Sequence, residues 1–71
     1  MYYTDIRTTA RLLDLSPSAI YARIRRGQMP YILFSKHYLI NLKEIASELG
    51  LKEAGLITLM QRQKLPIWFC K

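Results

Sequence analysis

The sequence has little cysteine, histidine, glycine or acidic charge, and each shortage excludes a kind of protein or site. Its single cysteine, Cys70, cannot form a disulfide within the chain, which predicts a reducing, cytoplasmic location. One cysteine and one histidine, His37, are too few for a zinc site, so no metal is expected. Three separated glycines form no phosphate-binding loop. In 71 residues there is little room for an active-site cleft, which predicts a non-enzymatic protein without cofactor or small-molecule ligand.

Long apolar runs are also missing. No stretch approaches the roughly 20 apolar residues of a transmembrane helix, and the first residues reach an acid and an arginine before any apolar stretch, unlike a signal peptide. What the chain does have is positive charge, since 11 Lys/Arg against 5 Asp/Glu give a net charge of +6. On so small a domain this favours an anionic partner, with nucleic acid ahead of a membrane surface, although solvated surface charge is the alternative.

Two short helices joined by a turn are predicted near the amino terminus. The first begins after the N-cap Asp5, because apolar residues follow it at helical spacing. Ser16 and Pro17 start the second, since serine caps helices and proline suits the first helical position. Gly27 is expected to end it, and the pair is typical of a helix-turn-helix. The apolar stripes consist of Ile6, Ala10 and Leu13 in the first helix and of Ile20 and Ile24 in the second.

A β-hairpin and a third helix are predicted after Pro30. The β-prone runs 31–34 and 37–40 are separated by Ser35 and Lys36, which indicate a short turn but leave its register open. Asn41 is the expected N-cap of the third helix, and Glu44 three residues later indicates a capping box. The buried stripe of this helix is expected to consist of Leu42, Ala46 and Leu49.

Residues 5–49 resemble the excisionase-like and MerR-type winged helix-turn-helix DNA-binding domains. The matching stretches are Leu12-Leu13-Asp14-Leu15-Ser16, Ile20-Tyr21, Ile24-Arg25-Arg26-Gly27-Gln28-Met29-Pro30 and Ser35-Lys36-His37-Tyr38-Leu39-Ile40. Asp14 and Ser35 stand where the family commonly has glycine, and Arg23 stands where an apolar residue is usual. The resemblance implies a mainly α fold with a small β-hairpin wing. It also implies double-stranded DNA as partner and a role as transcription regulator or recombination directionality factor of phage or plasmid type.

A shift of the sequence by 36 residues aligns its first half with its second. Identical pairs include Ala10/Ala46, Leu13/Leu49, Leu15/Leu51, Arg26/Arg62 and Pro30/Pro66. Chance similarity between short helical segments is the alternative to a true repeat. A repeat predicts a DNA-binding unit over 1–49 and a degenerate second helix-turn-helix unit over 42–71, packed on the first in one compact domain. The second unit would contain a helix over about 52–63 and a strand over 65–69.

The two halves differ in charge and polarity. Residues 1–40 hold six Lys/Arg and two Asp/Glu, net +4, whereas residues 41–71 hold five and three, net +2. Glu53 opens the second unit's apolar helix, which is expected to be buried or to mediate self-association as a dimer or head-to-tail array. Trp68 and Phe69 are expected in the core rather than stacked on bases. The alternative function is a protein-interaction module that masks a partner; a membrane-surface binder is disfavoured because the cations do not oppose one long apolar helical face.

The residues expected to contact DNA lie on the outer face of the second helix and at the wing tip. A helix-turn-helix places this face in the major groove, where Arg25 would read guanine or clamp a phosphate. Lys36 and His37 match the basic pair of the family's wing, which reaches the adjacent minor groove or its phosphates. For each, a solvated side chain is the alternative. The predicted DNA-binding residues are Ser16, Pro17, Ser18, Tyr21, Ala22, Arg25, Arg26, Lys36 and His37.

Overall fold

Helices and strands follow each other along the chain in an order that repeats. The structure is a computed structural model that describes residues 1–69. Its elements are β1 (Tyr2–Asp5), α1 (Ile6–Leu13), α2 (Pro17–Arg25), β2 (Ile32–Phe34), β3 (His37–Asn41), α3 (Leu42–Leu49), α4 (Glu53–Arg62) and β4 (Trp68–Phe69). Within these residues the strands form a four-stranded antiparallel sheet in the order β2-β3-β1-β4. The domain is therefore α+β, with the predicted helices and hairpin but a larger sheet than predicted.

Helix α1 begins where the sequence predicts. The carboxylate of Asp5 accepts a hydrogen bond from the Thr8 N–H at 2.8 Å, which satisfies one of the free amides of the first turn. The helix ends at Asp14, whose φ of 57° is left-handed, a conformation that aspartate tolerates better than most residues. A turn of three residues, 14–16, then leads into the next helix.

Helix α2 also has the predicted boundaries. The Ser16 Oγ accepts a hydrogen bond from the Ala19 N–H at 3.2 Å, and Pro17 occupies the first helical position, where no N–H is required. Gly27 follows the helix with a φ of 72°, which glycine adopts without the Cβ strain of other residues. The start and the end of this helix are thus determined by local backbone chemistry.

The β2–β3 hairpin has a two-residue turn whose register the sequence left open. Ser35 and Lys36 have φ values of 50° and 69°. Positive φ at both positions is the pattern of a type I′ turn, whose twist matches that of the paired strands. Phe34 therefore pairs with His37 directly across the turn.

Strands β1 and β4 account for the difference from the predicted sheet. Residues 2–5 had no predicted element, yet β1 pairs with both β3 and β4. The strand expected over 65–69 is confined to β4. The strand begins later in the sequence than predicted, because the Leu65 N–H donates to the Met60 carbonyl at 2.9 Å and Pro66 has no N–H for strand pairing.

The strand register carries the same 36-residue offset as the sequence. Thr4 pairs with Ile40, 36 positions later, and both are fully buried. The same offset relates two further pairs. Tyr3 pairs with Trp68, and the residues 36 positions after Tyr3 and 36 positions before Trp68, Leu39 and Ile32, also pair with each other. An approximate twofold axis therefore passes between Thr4 and Ile40. Each half, β1-α1-α2-β2 or β3-α3-α4-β4, pairs its last strand with the first strand of the other half.

The core lies between the helices and one face of the sheet. Its fully buried apolar side chains are Ile20, Ile40, Leu42, Ile45, Leu56 and Met60. Ile6 and Ala10 are buried as predicted, but Leu49 was placed in the core wrongly, since it is 36% exposed. Leu49 is the last residue of α3 and extends past the covered part of the helix, whereas Ile45 takes the central position.

The start of α3 differs in one detail from the predicted capping box. Asn41 is the N-cap, and its side-chain oxygen accepts a hydrogen bond from the Lys43 N–H at 2.8 Å rather than from the N–H of Glu44. The expected N-cap is thus correct, while the bonding pattern of the box is replaced by a tighter turn.

Removal of the α1 cap provides a first test of the fold. Asp5→Ala is expected to lower the free energy of unfolding by about 1 kcal/mol, because the Thr8 N–H loses its acceptor. Urea unfolding followed by circular dichroism measures the change. Ser47→Ala, on the exposed surface of α3, is the control and should stay within about 0.5 kcal/mol of the unmodified protein. Equal losses in both variants would show that the cap contributes nothing specific.

Candidate nucleic-acid interface

One side of α2 is buried and the other is open to solvent. Ile20 is fully buried and Ile24 packs against the core, so the opposite side faces outward. Ser18, Tyr21 and Arg25, spaced three and four residues apart, lie along this outer side and are exposed. Of the predicted DNA-binding residues, Ala22 is half-buried, and the exposed ones are Ser16, Pro17, Ser18, Tyr21, Arg25, Arg26, Lys36 and His37.

Three tyrosines connect α2 to the β2–β3 hairpin. The rings of Tyr21 and Tyr38 meet edge to face with centroids 5.6 Å apart, and Tyr31 contacts Tyr38 in the same way at 5.0 Å. Tyr38 is half-buried and also packs against the core. Edge-to-face pairs at this separation are attractive beyond the area they bury. The hairpin is therefore held in a defined position beside the outer side of α2.

Arg23 does not belong to the cationic surface of α2. Its guanidinium Nη1 donates to the Glu48 carboxylate, which forms an ion pair between α2 and α3. Glu48 therefore offsets the charge of Arg23. Both side chains are partly exposed, so the pair contributes at most about 1 kcal/mol to stability.

A groove of about 660 Å³ lies at the end of the sheet nearest the hairpin turn. It is lined by Asp5, Ile6, Arg7, Tyr21, Phe34, Ser35, Lys36, His37, Tyr38, Leu39, Trp68 and Phe69. The groove thus brings together three of the predicted residues, Tyr21, Lys36 and His37. The other predicted residues, those at the start of α2 and the Arg25–Arg26 pair, lie outside it. We refer to this concavity as the hairpin groove.

Trp68 and Phe69 are in the hairpin groove and not in the core, where the sequence analysis placed them. They are 45% and 61% exposed, and the Phe69 ring rests edge-on against Tyr2 with centroids 5.1 Å apart. Leu65 and Ile67 pack against the core instead. The 36-residue shift would have found this, because it aligns the two aromatic residues with the outer strand β2.

Arg7 is a candidate binding residue that the sequence did not indicate. It is exposed on the first turn of α1 and lines the groove beside Lys36 and His37. The acid nearest to them in the groove lining is Asp5, whose carboxylate is engaged in capping α1. The lining therefore combines apolar aromatic surface with an excess of positive charge.

Two further kinds of site are absent from residues 1–69. That part of the chain has no group of three or more His, Cys, Asp or Glu side chains placed to hold a metal ion. None of its helices is long and apolar enough to cross a membrane. Cys70, on which the redox expectation rests, lies outside the described residues.

Comparison with known proteins adds no further information about the interface. No protein-family model, curated protein or solved structure matches the chain. The function therefore has to be inferred from the surface of α2, the hairpin and the groove.

Proposed function

We propose that this protein is a sequence-specific double-stranded DNA-binding protein of the winged helix-turn-helix type. In this proposal α2 lies in the major groove, and the β2–β3 hairpin is the wing that reaches the adjacent minor groove or its phosphates. One observation carries it: the outer side of α2 and the hairpin tip form one surface, held together by the Tyr21–Tyr38 contact. Among the described residues, the cations of this surface, Arg25, Arg26 and Lys36, have no ion-pair partner.

The residues of α2 suit different parts of a DNA site. Arg25 lies on the outer side one turn beyond Tyr21, where a guanidinium can donate two hydrogen bonds to guanine. The Ser16 hydroxyl accepts from the helix and still has its own hydrogen to donate to a phosphate. Ser18 and Tyr21 provide further polar groups along the same side.

A single recognition helix is favoured over two. The approximate twofold axis relates α2 to α4, as in a helix-turn-helix dimer, but the Cα atoms extend only 29 Å along the longest axis. Recognition helices in successive major grooves are about 34 Å apart. In addition, Glu53 stands at the first position of α4 and would face phosphate. We therefore propose that one chain reads one short site through α2.

A single short site carries little specificity, so useful recognition needs a second copy on the DNA. We propose that copies associate as a dimer or head-to-tail array through the carboxyl-terminal half, where Ile57 and Leu59 are only partly buried. The biological role we propose is a cytoplasmic, non-enzymatic transcription regulator or recombination directionality factor. The observation that favours the alternative, a protein-interaction module, is the exposure of large apolar residues on the hairpin and β4.

Selection of DNA sites by the purified protein tests the proposed function most directly. Random duplexes would be enriched by binding and sequenced. The expected result is a short motif, repeated in direct or inverted orientation at a fixed spacing, which would also reveal the symmetry of assembly. Enrichment without any motif would contradict sequence-specific recognition.

Replacement of the wing lysine separates backbone contact from base reading. Lys36→Ala is expected to reduce the slope of log affinity against log salt by about 0.9 on every duplex, because one phosphate contact is lost. Fluorescence anisotropy across a salt series measures it on a cognate and a scrambled duplex. Arg62→Ala on α4 is the matched control and should leave the slope unchanged. If Arg62→Ala had the larger effect, α4 rather than the wing would contact DNA.

A further inference from the structure

The sheet has a second face that the helices do not cover. Cross-strand partners project to the same side, so Ile32, Phe34, His37, Leu39, Tyr3 and Trp68 share one face. Ile40 and Thr4 project to the other side. Ile40 belongs to the buried cluster that packs the helices against the sheet, whereas Leu39 and Tyr3 are also buried but lie outside that cluster. The face that carries Phe34 and Trp68 is therefore the outer face of the sheet.

Two aromatic rings on this outer face are exposed, and the proposed duplex recognition by α2 uses neither of them. Phe34 is 64% exposed and Trp68 is 45% exposed. They lie on the two opposite edge strands, β2 and β4, and both line the hairpin groove, with Leu39 between them on the central strand β3. Apolar surface that is exposed in one groove, rather than scattered singly, is typical of binding sites.

The charged side chains around these rings indicate what kind of ligand the groove can bind. The cations Arg7 and Lys36 line the same groove, together with the polar side chain of His37. The acid in the lining, Asp5, already accepts the Thr8 N–H. A ligand that complements this surface therefore combines flat apolar groups with negative charge. Nucleic acid has both, but a duplex hides its base faces inside the stack, whereas a single strand exposes them.

We infer that the hairpin groove binds single-stranded nucleic acid, with unpaired bases stacked against Phe34 and Trp68 and phosphates at Arg7 and Lys36. This activity goes beyond the proposed reading of duplex DNA, since it uses the outer face of the sheet rather than the outer side of α2. The two activities share Tyr21 on α2 and Lys36 and His37 at the hairpin tip. Strand and duplex would thus contact neighbouring surfaces of the same molecule.

A second copy of the chain fits the groove less well. In a twofold-symmetric contact through the outer face, the groove of one copy would meet the same surface of its partner, so two linings with an excess of positive charge would be brought together. Arg7 and Lys36 of the two copies would then repel one another in a partly desolvated interface, where like charges cost more than in water. Single-stranded nucleic acid neutralises the same charges.

Trp68 is the one tryptophan of the chain, so its fluorescence reports directly on the groove. The protein would be titrated with a thymidine octamer, a uridine octamer and a blunt duplex of equal length. We expect both single strands to quench Trp68 strongly, and the duplex to quench it much less. The tighter of the two octamers identifies whether DNA or RNA is the better ligand.

Phe34→Ala is expected to weaken binding of the octamer by about 5- to 150-fold, the range for loss of one stacked base. Leu33→Ala is the matched control, because Leu33 is on the same strand, is 61% exposed and projects to the opposite side. Arg7→Ala should reduce the salt slope for the octamer by about 0.7. Since these three side chains are exposed, circular dichroism should show unchanged folding.

The outcome is independent of the proposed duplex recognition. Arg25→Ala should change duplex specificity yet leave quenching by the octamer intact, so each activity fails or survives separately. Absence of quenching by both octamers would overturn the inference, as would equal weakening by Phe34→Ala and Leu33→Ala. A Trp68 emission that changes with protein concentration alone, together with a dimeric mass, would assign the groove to a second copy and also overturn it.

Discussion

Arg25→Ala is expected to weaken binding to the cognate duplex by about 5- to 150-fold while changing binding to a scrambled duplex little. The reason is the position of Arg25 on the exposed outer side of α2, where its guanidinium has no ion-pair partner among residues 1–69. Loss of a bidentate base contact costs about 1–3 kcal/mol on the correct sequence only. Anisotropy titrations on both duplexes at one fixed salt concentration measure the difference.

Arg26→Ala is the matched control for this experiment. Arg26 is adjacent and exposed but caps the carboxyl end of α2, so it is expected to contact phosphate or nothing. If Arg25→Ala weakened both duplexes equally, Arg25 would be a phosphate clamp, and specificity would depend on Ser18, Tyr21 and the shape of the DNA. If neither substitution affected any duplex, the protein-interaction module would replace the DNA-binding proposal.

Leu56→Ala is expected to lower the free energy of unfolding by about 2–5 kcal/mol, the range for truncation of a buried leucine. Leu56 is fully buried and holds α4 in the common core. A domain of this size has little stability in reserve, so much of the protein should be unfolded at 37 °C. Thermal and urea unfolding by circular dichroism measure the loss. Leu51→Ala, at a leucine that is 45% exposed, should stay within about 0.5 kcal/mol.

The same substitution tests whether the two halves fold together. Because β4 pairs with β1 and β2 pairs with β3, each half completes the sheet of the other. Duplex binding through α2 should therefore be lost in parallel with unfolding, although Leu56 is in the other half. A folded, DNA-binding amino-terminal half in Leu56→Ala would contradict this coupling.

Local chemistry made the helices predictable. The caps at Asp5, Ser16 and Asn41 bond amides two or three residues away, so each helix start is decided within a few neighbouring residues. The left-handed stop at Asp14 and the glycine after α2 are equally local. These signals, together with apolar spacing, were enough to predict α1, α2, the hairpin and α3 from the sequence.

The candidate site was predictable only in part. The sequence indicated the outer side of α2 and the hairpin tip, since both follow from helical spacing and the position of one turn. It placed Trp68 and Phe69 in the core, because an aromatic pair near the end of an apolar segment is typical of buried structure. Their exposure follows from the edge position of β4, which depends on pairing with β1 more than 60 residues earlier.

The sequence by itself determined where the helices begin and end, the excess of positive charge, and the 36-residue offset between the halves. Only the tertiary structure decided that β1 joins the sheet, that Arg23 pairs with Glu48, and that Arg7 meets Phe34 and Trp68 in one groove. The reason is that helix caps are satisfied by neighbours in sequence, whereas strands and ion pairs require partners that the chain meets only when its core has formed.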